Sequence, residues 1–377
     1  MKAVAVFPAS RQVKLIEQKE PSITRPDQVK LRMLDIGICG TDKEICTFAY
    51  GTPPAGADYL IIGHEALGEV VEVGAAVTQL ALGDLVVPTV RRPCSHARCR
   101  SCRAGHQDFC ETGDFTERGI KRAHGYLTEL VVDEARYLHP VPRHLRESAV
   151  LVEPLTIIEK AESQLYGLTQ RRPPWIDPSV PERTQGRGHT ALVLGAGPVG
   201  LLGAMALRTA EFDTFIYSRE QEPDLRIAVA KAIGATYLSS QVLSPSQLEG
   251  QIGPIDLVYE AAGHSVLALD VLQALGPNGI CILTGVPGRQ TLIEADPAAL
   301  FRAMVLKNQV VLGTVNAGPQ DFNAAIADLQ TFHQRWPDAV RALMAERTPI
   351  EQASERILER PAGIKSVISF NRPESLV

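Results

Sequence analysis

Apolar and polar positions alternate through residues 29–36 (VKLRMLDI) and 66–73 (ALGEVVEV), the period of half-buried strands. Residues 83–88 and 125–132 carry a similar signature, so the first part of the chain reads as short strands joined by turns. The pattern changes after Glu147, where SAVLVEPLTIIEKAESQL has helical character beyond Pro154. Later, strand-sized and helix-sized runs alternate at 214–217, 225–233, 256–260, 267–275 and 280–284. That alternation predicts a parallel sheet covered by helices. Near the end Phe322, Ala325, Ile326, Leu329 and Phe332 recur at helical spacing and predict a core-facing stripe.

The longest uncharged run, residues 190–207 (TALVLGAGPVGLLGAMAL), approaches the length of a membrane span. Gly195, Gly197, Pro198, Val199 and Gly200 interrupt it near its start, which favours strand, tight turn and helix. Leu192 to Leu194 read as a doubly buried strand, and Pro198 suits the first turn of the helix. The glycine spacing is that of the dinucleotide fingerprint: one glycine turns the chain, one admits a pyrophosphate, one lets helix and strand pack. An ordinary βα turn has the same look, and the βα alternation that follows favours the nucleotide site.

Length and composition change this picture little. The 377 residues allow two domains, and net charge −5 with 45% hydrophobic and 21% charged residues fits a globular protein. Nothing in that balance is a footprint for nucleic acid. The pairs Arg91-Arg92 and Arg171-Arg172 read as solvated, and the Pro-rich stretch 171–188 as an exposed connection. The apolar run before Pro8 is too short for a signal peptide, which makes the cytoplasm the expected location and a membrane association unexpected.

Three places can carry chemistry. Cys39, His64, Glu65 and Glu153 supply the sulfur, nitrogen and oxygen donors of a catalytic zinc site, each beside glycine, proline or other turn residues. Singly, Cys39 also fits a small buried side chain, His64 a structural histidine and Glu65 a surface charge. Cys94, Cys99, Cys102 and Cys110 form a C-x4-C-x2-C-x7-C array suited to a closed structural zinc site. Disulfides are the alternative, disfavoured in a reducing compartment, and His96 could replace one thiolate. Third, Ser218 and Arg219 stand about twenty residues after the glycines, where NAD-binding folds place an acid for the ribose 2′-OH. A guanidinium there can pair with the 2′-phosphate of NADP, while Glu220 is the alternative ribose acceptor.

Taken together, Gly63-His64-Glu65, the four-cysteine lobe and the 195–200 loop resemble the zinc-dependent medium-chain dehydrogenase superfamily over nearly the whole chain. Residues 37–42 (GICGTD), 109–115 (FCETGDF), 117–120 (ERGI), Glu153-Pro154-Leu155, Glu159-Lys160-Ala161 and 313–316 (GTVN) are most similar to its archaeal-type glucose 1-dehydrogenases. The resemblance implies an α/β protein: a GroES-like β-rich catalytic domain at 1–158 and 317–377, with a structural zinc lobe at 93–111, and a Rossmann doubly wound parallel-sheet domain at 159–316. It implies one catalytic zinc held by Cys39 and His64, completed by Glu65 or Glu153, and a second, structural zinc. Thr41 would start a proton relay, Glu117 would contact sugar hydroxyls, and Asn316 would lie near nicotinamide and substrate, with Glu65 and Glu153 as further substrate-binding candidates. The implied reaction is oxidation of an aldose, D-glucose above all, with NADP or NAD as hydride acceptor, in a homodimer or homotetramer. A polyol or secondary-alcohol dehydrogenase is the near alternative. A non-catalytic nucleotide-binding protein is the remote one, and it would need none of Cys39, Thr41, His64 and Glu153. The chain departs from the family pattern at the x4 spacing after Cys94, at Val90, at Ile157, and at Glu44, where simple alcohol dehydrogenases often carry a histidine.

Overall fold

The computed structural model describes residues 1–169, 184–287, 294–359 and 363–370. Arg171-Arg172 and most of the Pro-rich connection lie outside them. The chain begins with strands β1 (Lys2–Phe7), β2 (Gln12–Glu17) and β3 (Gln28–Ile38), then helix α1 (Gly40–Cys46). Next come β4 (Leu60–Ile61), β5 (Glu65–Val73), β6 (Leu85–Pro88), β7 (Arg91–Arg92), α2 (Arg100–Arg103), β8 (Thr116–Arg118), β9 (Arg122–Ala123), β10 (Leu130–Glu134) and β11 (Leu138–Val141). After α3 (Val152–Thr169) follow β12 (Thr190–Leu194), α4 (Pro198–Thr209), β13 (Asp213–Ser218), α5 (Leu225–Ala232), β14 (Thr236–Ser239), α6 (Leu248–Ile252), β15 (Ile255–Glu260) and α7 (Ser265–Ala274). The chain continues with β16 (Leu275–Leu283), α8 (Pro297–Leu306), β17 (Val310–Gly313), α9 (Pro319–Arg335), α10 (Pro337–Leu343), β18 (Met344–Pro349), α11 (Ile350–Arg356) and β19 (Lys365–Ser369). It divides into two compact units: Met1–Thr156 with Asn316–Thr331 and Met344–Val377, and Ile157–Val315 with Phe332–Leu343.

In the first unit β3 is the pivot. Its side chains alternate in burial up to Arg32 and are all buried from Met33 to Ile38, because both faces are covered there. It pairs antiparallel with β5 along one edge and with β10 and β19 along the other. The sheet runs β11-β6-β5-β3-β19-β18, beside two three-stranded sheets, β2-β1-β4 and β7-β8-β9. Leu31, Met33, Ile36, Val70, Val86, Tyr126 and Leu127 fill its core at 1% exposure or less. The strand expected at 125–132 begins only at Leu130. Its first part instead bonds singly, Gly125 N–H to Ile61 O and Tyr126 N–H to Gly63 O, which anchors the loop ahead of His64.

The second unit is a six-stranded sheet in the order β14-β13-β12-β15-β16-β17, parallel at every pairing. That is the doubly wound dinucleotide-binding order, with the switch point at β12. The uncharged run 190–207 is β12, a turn and α4, as its glycines require. No helix among the described residues is long and apolar enough to cross a membrane. A Cβ on Gly203 would enter the Tyr259 ring, so α4 lies against β15 at a distance only glycine permits.

Candidate functional site

The end of β3 delivers Cys39. It is the N-cap of α1: its sulfur accepts the Thr41 N–H at 3.2 Å, and Asp42 returns a carboxylate to the Cys39 N–H at 3.0 Å. Register then brings two more groups to the same place, since β5 pairs Glu65 with Gly37 and β19 pairs Ser366 with Ile38. Gly63, at φ +86°, turns the chain so that His64 points at Cys39, with Nε2 3.2 Å from Sγ. Gly37 carries no Cβ because one would strike the Glu65 carboxylate and the Lys365 stem.

Donor atoms of Cys39, His64 and Glu65 all lie within 4.8 Å of one another, and all three belong to the predicted zinc set. Glu153, the fourth predicted member, opens α3 outside that trio. Burial pushes its carboxyl up to about 7, with Glu65 adding to the rise and His64 and Lys365 opposing it. Glu65 is no surface charge: it is 2% exposed and paired with the buried Lys365. Thr41 follows in the first turn of α1. Burial lowers His64, yet Cys39 and Asp42 outweigh it and hold the imidazole well above its usual range. Sulfur, nitrogen and oxygen donors within reach of one another make a mixed set that fits a divalent zinc ion. Binding it would release protons from the thiol and imidazole.

Two members of this centre are missing from the sequence reading. Asp42 is fully buried, with Oδ1 3.5 Å from His64 Nδ1 and 3.3 Å from the Gly63 nitrogen. A carboxylate behind a ligating histidine fixes which nitrogen faces the metal, and its position three residues after Cys39 is a capping-box signal. Lys365 has no local signal, because only β-sheet register places it beside Glu65.

The four-cysteine lobe also closes. Cys94, Cys99, Cys102 and Cys110 place their sulfurs within 4.8 Å of one another, and all seven cysteines are free thiols. Cys99 and Cys110 sulfurs are 4.0 Å apart, about twice a disulfide bond. Burial raises Cys110, but the Thr112 hydroxyl and backbone N–H outweigh it and bring the thiol down to about 6. Four convergent sulfurs, one already favouring the thiolate, fit a structural zinc. His96 instead pairs with Asp114 on the surface at 2.9 Å.

Arg91 and Arg92, expected to be solvated, are both built in. Arg91 is 7% exposed; its Nε and Nη2 donate to Glu117 Oε1 at 3.1 and 3.0 Å, and Nη1 donates to Asp108 O. Arg92 joins Asp133 and the Tyr126 hydroxyl. Asn316 Nδ2 donates to the same Glu117 oxygen at 2.8 Å, and Asn316 holds φ +62°, a conformation asparagine tolerates. All three of these bonds fall on Glu117 Oε1, and Oε2 takes part in none of them.

In the second unit Gly195, at φ +99°, turns the chain out of β12, Gly197 caps α4, and Pro198 and Val199 open it. A Cβ on Gly200 would strike the Gly195 carbonyl, so the loop is as tight as the fingerprint demands. Ser218 ends β13 and donates to Glu220 Oε2 at 2.7 Å. Arg219 is 76% exposed and reaches only to 3.7 Å from Glu220, leaving its guanidinium open to an anion.

Residues 25–143 match the alcohol dehydrogenase GroES-like domain, and residues 146–370 the glucose dehydrogenase C-terminus. Glucose 1-dehydrogenase of Methanocella arvoryzae is 36% identical over 98% of this chain and 99% of its own length. That of Thermoproteus tenax is 37% identical over 98% of this chain and 99% of its own. The solved structure of Haloferax mediterranei glucose dehydrogenase with NADP, zinc and gluconolactone superposes with a TM-score of 0.86 at 31% identity, covering 99% of this chain and all of that one. With a family match over more than half its length and full-length relatives above 30% identity, the chain belongs to the glucose 1-dehydrogenase family of zinc-dependent medium-chain dehydrogenases.

Proposed function

We propose that this protein oxidises an aldose, D-glucose first, to its lactone and passes the hydride to NADP. Catalysis is assigned to residues 1–158 and 317–377, and cofactor binding to 159–316. When bound, zinc polarises the substrate hydroxyl and NADP accepts the hydride at the nicotinamide. Cys39, His64 and Glu65 would hold the catalytic zinc, with Glu153 beside them as the carboxylate able to take the place of Glu65. Thr41 receives the proton of the substrate hydroxyl and hands it outward. Glu117 and Asn316 orient the sugar, and Asn316 also serves the nicotinamide end. Gly195, Gly197, Pro198, Val199 and Gly200 cradle the pyrophosphate on the α4 N-terminus, while Ser218 and Arg219 take the 2′-phosphate. Cys94, Cys99, Cys102 and Cys110 hold the structural zinc.

One observation carries the sugar reading: Arg91 and Asn316 lock Glu117 through a single oxygen and leave the other to accept a hydroxyl. A site built to bond a hydroxyl rejects a substrate lacking it, because a buried polar group is stranded. NADP reduction across aldoses, polyols and simple alcohols tests this. Aldohexoses should lead and ethanol barely react, and Glu117→Gln should depress kcat/KM for glucose while sparing zinc content. Aliphatic alcohols outrunning every aldose would discard the sugar and leave a secondary-alcohol dehydrogenase. Half-buried Ile157 adds no polar group, so the reading includes a broad sugar range. Four free thiols in one lobe support the cytoplasm as location. An exposed apolar face on α8 beside the edge strand β17 supports a homo-oligomer.

A further inference from the structure

Glu260 closes β15, the strand that pairs with β12 at the switch point of the parallel sheet. It is 2% exposed, and its charge is met by backbone N–H groups. Oε1 accepts the N–H of Ala262 at 2.8 Å and that of Gly263 at 2.7 Å, and Oε2 accepts the N–H of Gly285 at 3.1 Å. Ala262 and Gly263 belong to the loop from β15 into α7, and Gly285 to the loop after β16, so one carboxylate clasps both. The main chain repeats the tie: Thr284 donates to the Glu260 carbonyl through its N–H at 3.0 Å and its hydroxyl at 2.7 Å. The loops meet at two glycines. A Cβ on Gly285 would stand 2.2 Å from the Gly263 nitrogen, and Gly263 itself holds φ +65°. The clasped loop also abuts the fingerprint turn, where a Cβ on Gly195 would come within 3.1 Å of the Ala262 methyl.

We propose that Glu260 is a positioning residue for the nicotinamide half of the cofactor. The proposal rests on the cofactor reading above and deepens it. A doubly wound sheet binds a dinucleotide across its switch point, one mononucleotide to each half. The fingerprint turn and the end of β13 serve the adenosine half, which leaves the nicotinamide half to the loops after β15 and β16. Successive N–H groups turned to one side, as at Ala262 and Gly263, make a concavity that attracts an anion. Here the chain's own carboxylate fills it, so the pyrophosphate is left the N-terminus of α4, and the loop keeps one shape with or without cofactor. A loop already held in shape binds more tightly, because no ordering is left to accompany binding. A carboxylate suits this duty and an amide does not. Both carboxylate oxygens accept, whereas a glutamine would turn its NH2 toward an N–H.

Calorimetric titration of the zinc-loaded full chain with NADP and with 2′,5′-ADP, which carries the adenosine half and its phosphates alone, tests this. Glu260→Gln should weaken NADP about tenfold, the scale of one hydrogen bond to a charged group, and leave 2′,5′-ADP within about twofold of wild type. In turnover the same variant should raise KM for NADP more than KM for glucose. Glu260→Asp keeps the charge but withdraws it by one methylene from the two loops. It should shift the same ratio by a smaller factor, and it serves if the glutamine variant fails to fold. Gly285→Ala tests the clasp from the other side, since its methyl parts the loops while Glu260 is intact; NADP should again weaken and 2′,5′-ADP hold. Equal losses for the two ligands together with a lower Tm would make Glu260 merely structural and overturn the proposal, as would an NADP affinity unchanged in every variant. Wild type that binds neither ligand would overturn the cofactor reading itself, and this inference with it.

Discussion

At the scale of single residues, the two centres depend on groups that touch no ligand. Asp42 backs His64 and caps the N–H of Cys39, so Asp42→Asn should free the imidazole to turn and weaken zinc by about 10- to 100-fold. Chelator competition reads this directly; unchanged affinity would show that Asp42 merely caps α1. Asp133 tests the electrostatics elsewhere. Burial raises its carboxyl, but Arg118 and Arg92 and the Tyr126 hydroxyl outweigh it and hold it below the ordinary range. As pH falls, the unfolded chain therefore takes up that proton first. The stabilisation is complete above about pH 4, the ordinary aspartate value, and drains away below it. Asp133→Asn should cost about 3–5 kcal/mol at neutral pH by stranding the largely enclosed Arg118 and Arg92 charges, and should flatten the acid limb of a Tm-against-pH curve. An acid limb identical to wild type would assign acid sensitivity to other carboxylates.

At the scale of elements, what was legible follows from period and length. β3, β5, β13, α5, β15 and α9 announce themselves because one face of each is apolar at its own repeat, and β12 and α4 because glycines break an uncharged run into strand, turn and helix. The region around Cys39 does not: α1 has only seven residues, buries Asp42, Ile45 and Cys46, and depends on a cap supplied by its own metal-ligand candidate. The hairpin of β1 and β2 escaped notice because the apolar run before Pro8 invites comparison with leader peptides, not strands. Residue type alone singles out the zinc-donor candidates, whereas the burial of Arg91 and the pairing of Lys365 with Glu65 depend on partners far along the chain. The cysteine lobe gives the element-level prediction. Its helix α2 has four residues and buries none of them, so the lobe lacks a core of its own and relies on the metal. Cys99→Ala should lower zinc content by one ion per chain, drop Tm and open the lobe to proteolysis, while Cys39→Ala should lose the other ion together with activity. A Cys99→Ala protein with full zinc and wild-type Tm would refute the structural assignment.

For the whole molecule, the open question is what covers α8. Its ten residues are strongly apolar, yet none is buried: Phe301, Val305 and Leu306 are 62%, 75% and 67% exposed. An apolar helix keeps such a face only when something covers it. Phe301 and Val305 are four apart and share a side of the helix, and β17, which follows directly, is the last strand of the parallel sheet. An uncovered strand edge is itself a template for pairing. A second copy of the chain meets both demands at once, because a twofold axis brings the same edge and the same helix face together. Each substitution then acts twice per interface. Phe301→Asp forfeits about 1.5–3 kcal/mol of burial per copy, hence about 3–6 kcal/mol per pair, or roughly 10²- to 10⁴-fold in the dissociation constant. Sedimentation velocity at micromolar concentration should show wild type as a dimer or tetramer and Phe301→Asp moved to smaller species, with both zinc ions retained. Retained zinc matters, since it separates a broken interface from a broken fold. Wild type sedimenting as a monomer would remove the oligomer reading and leave the α8 face in need of another partner.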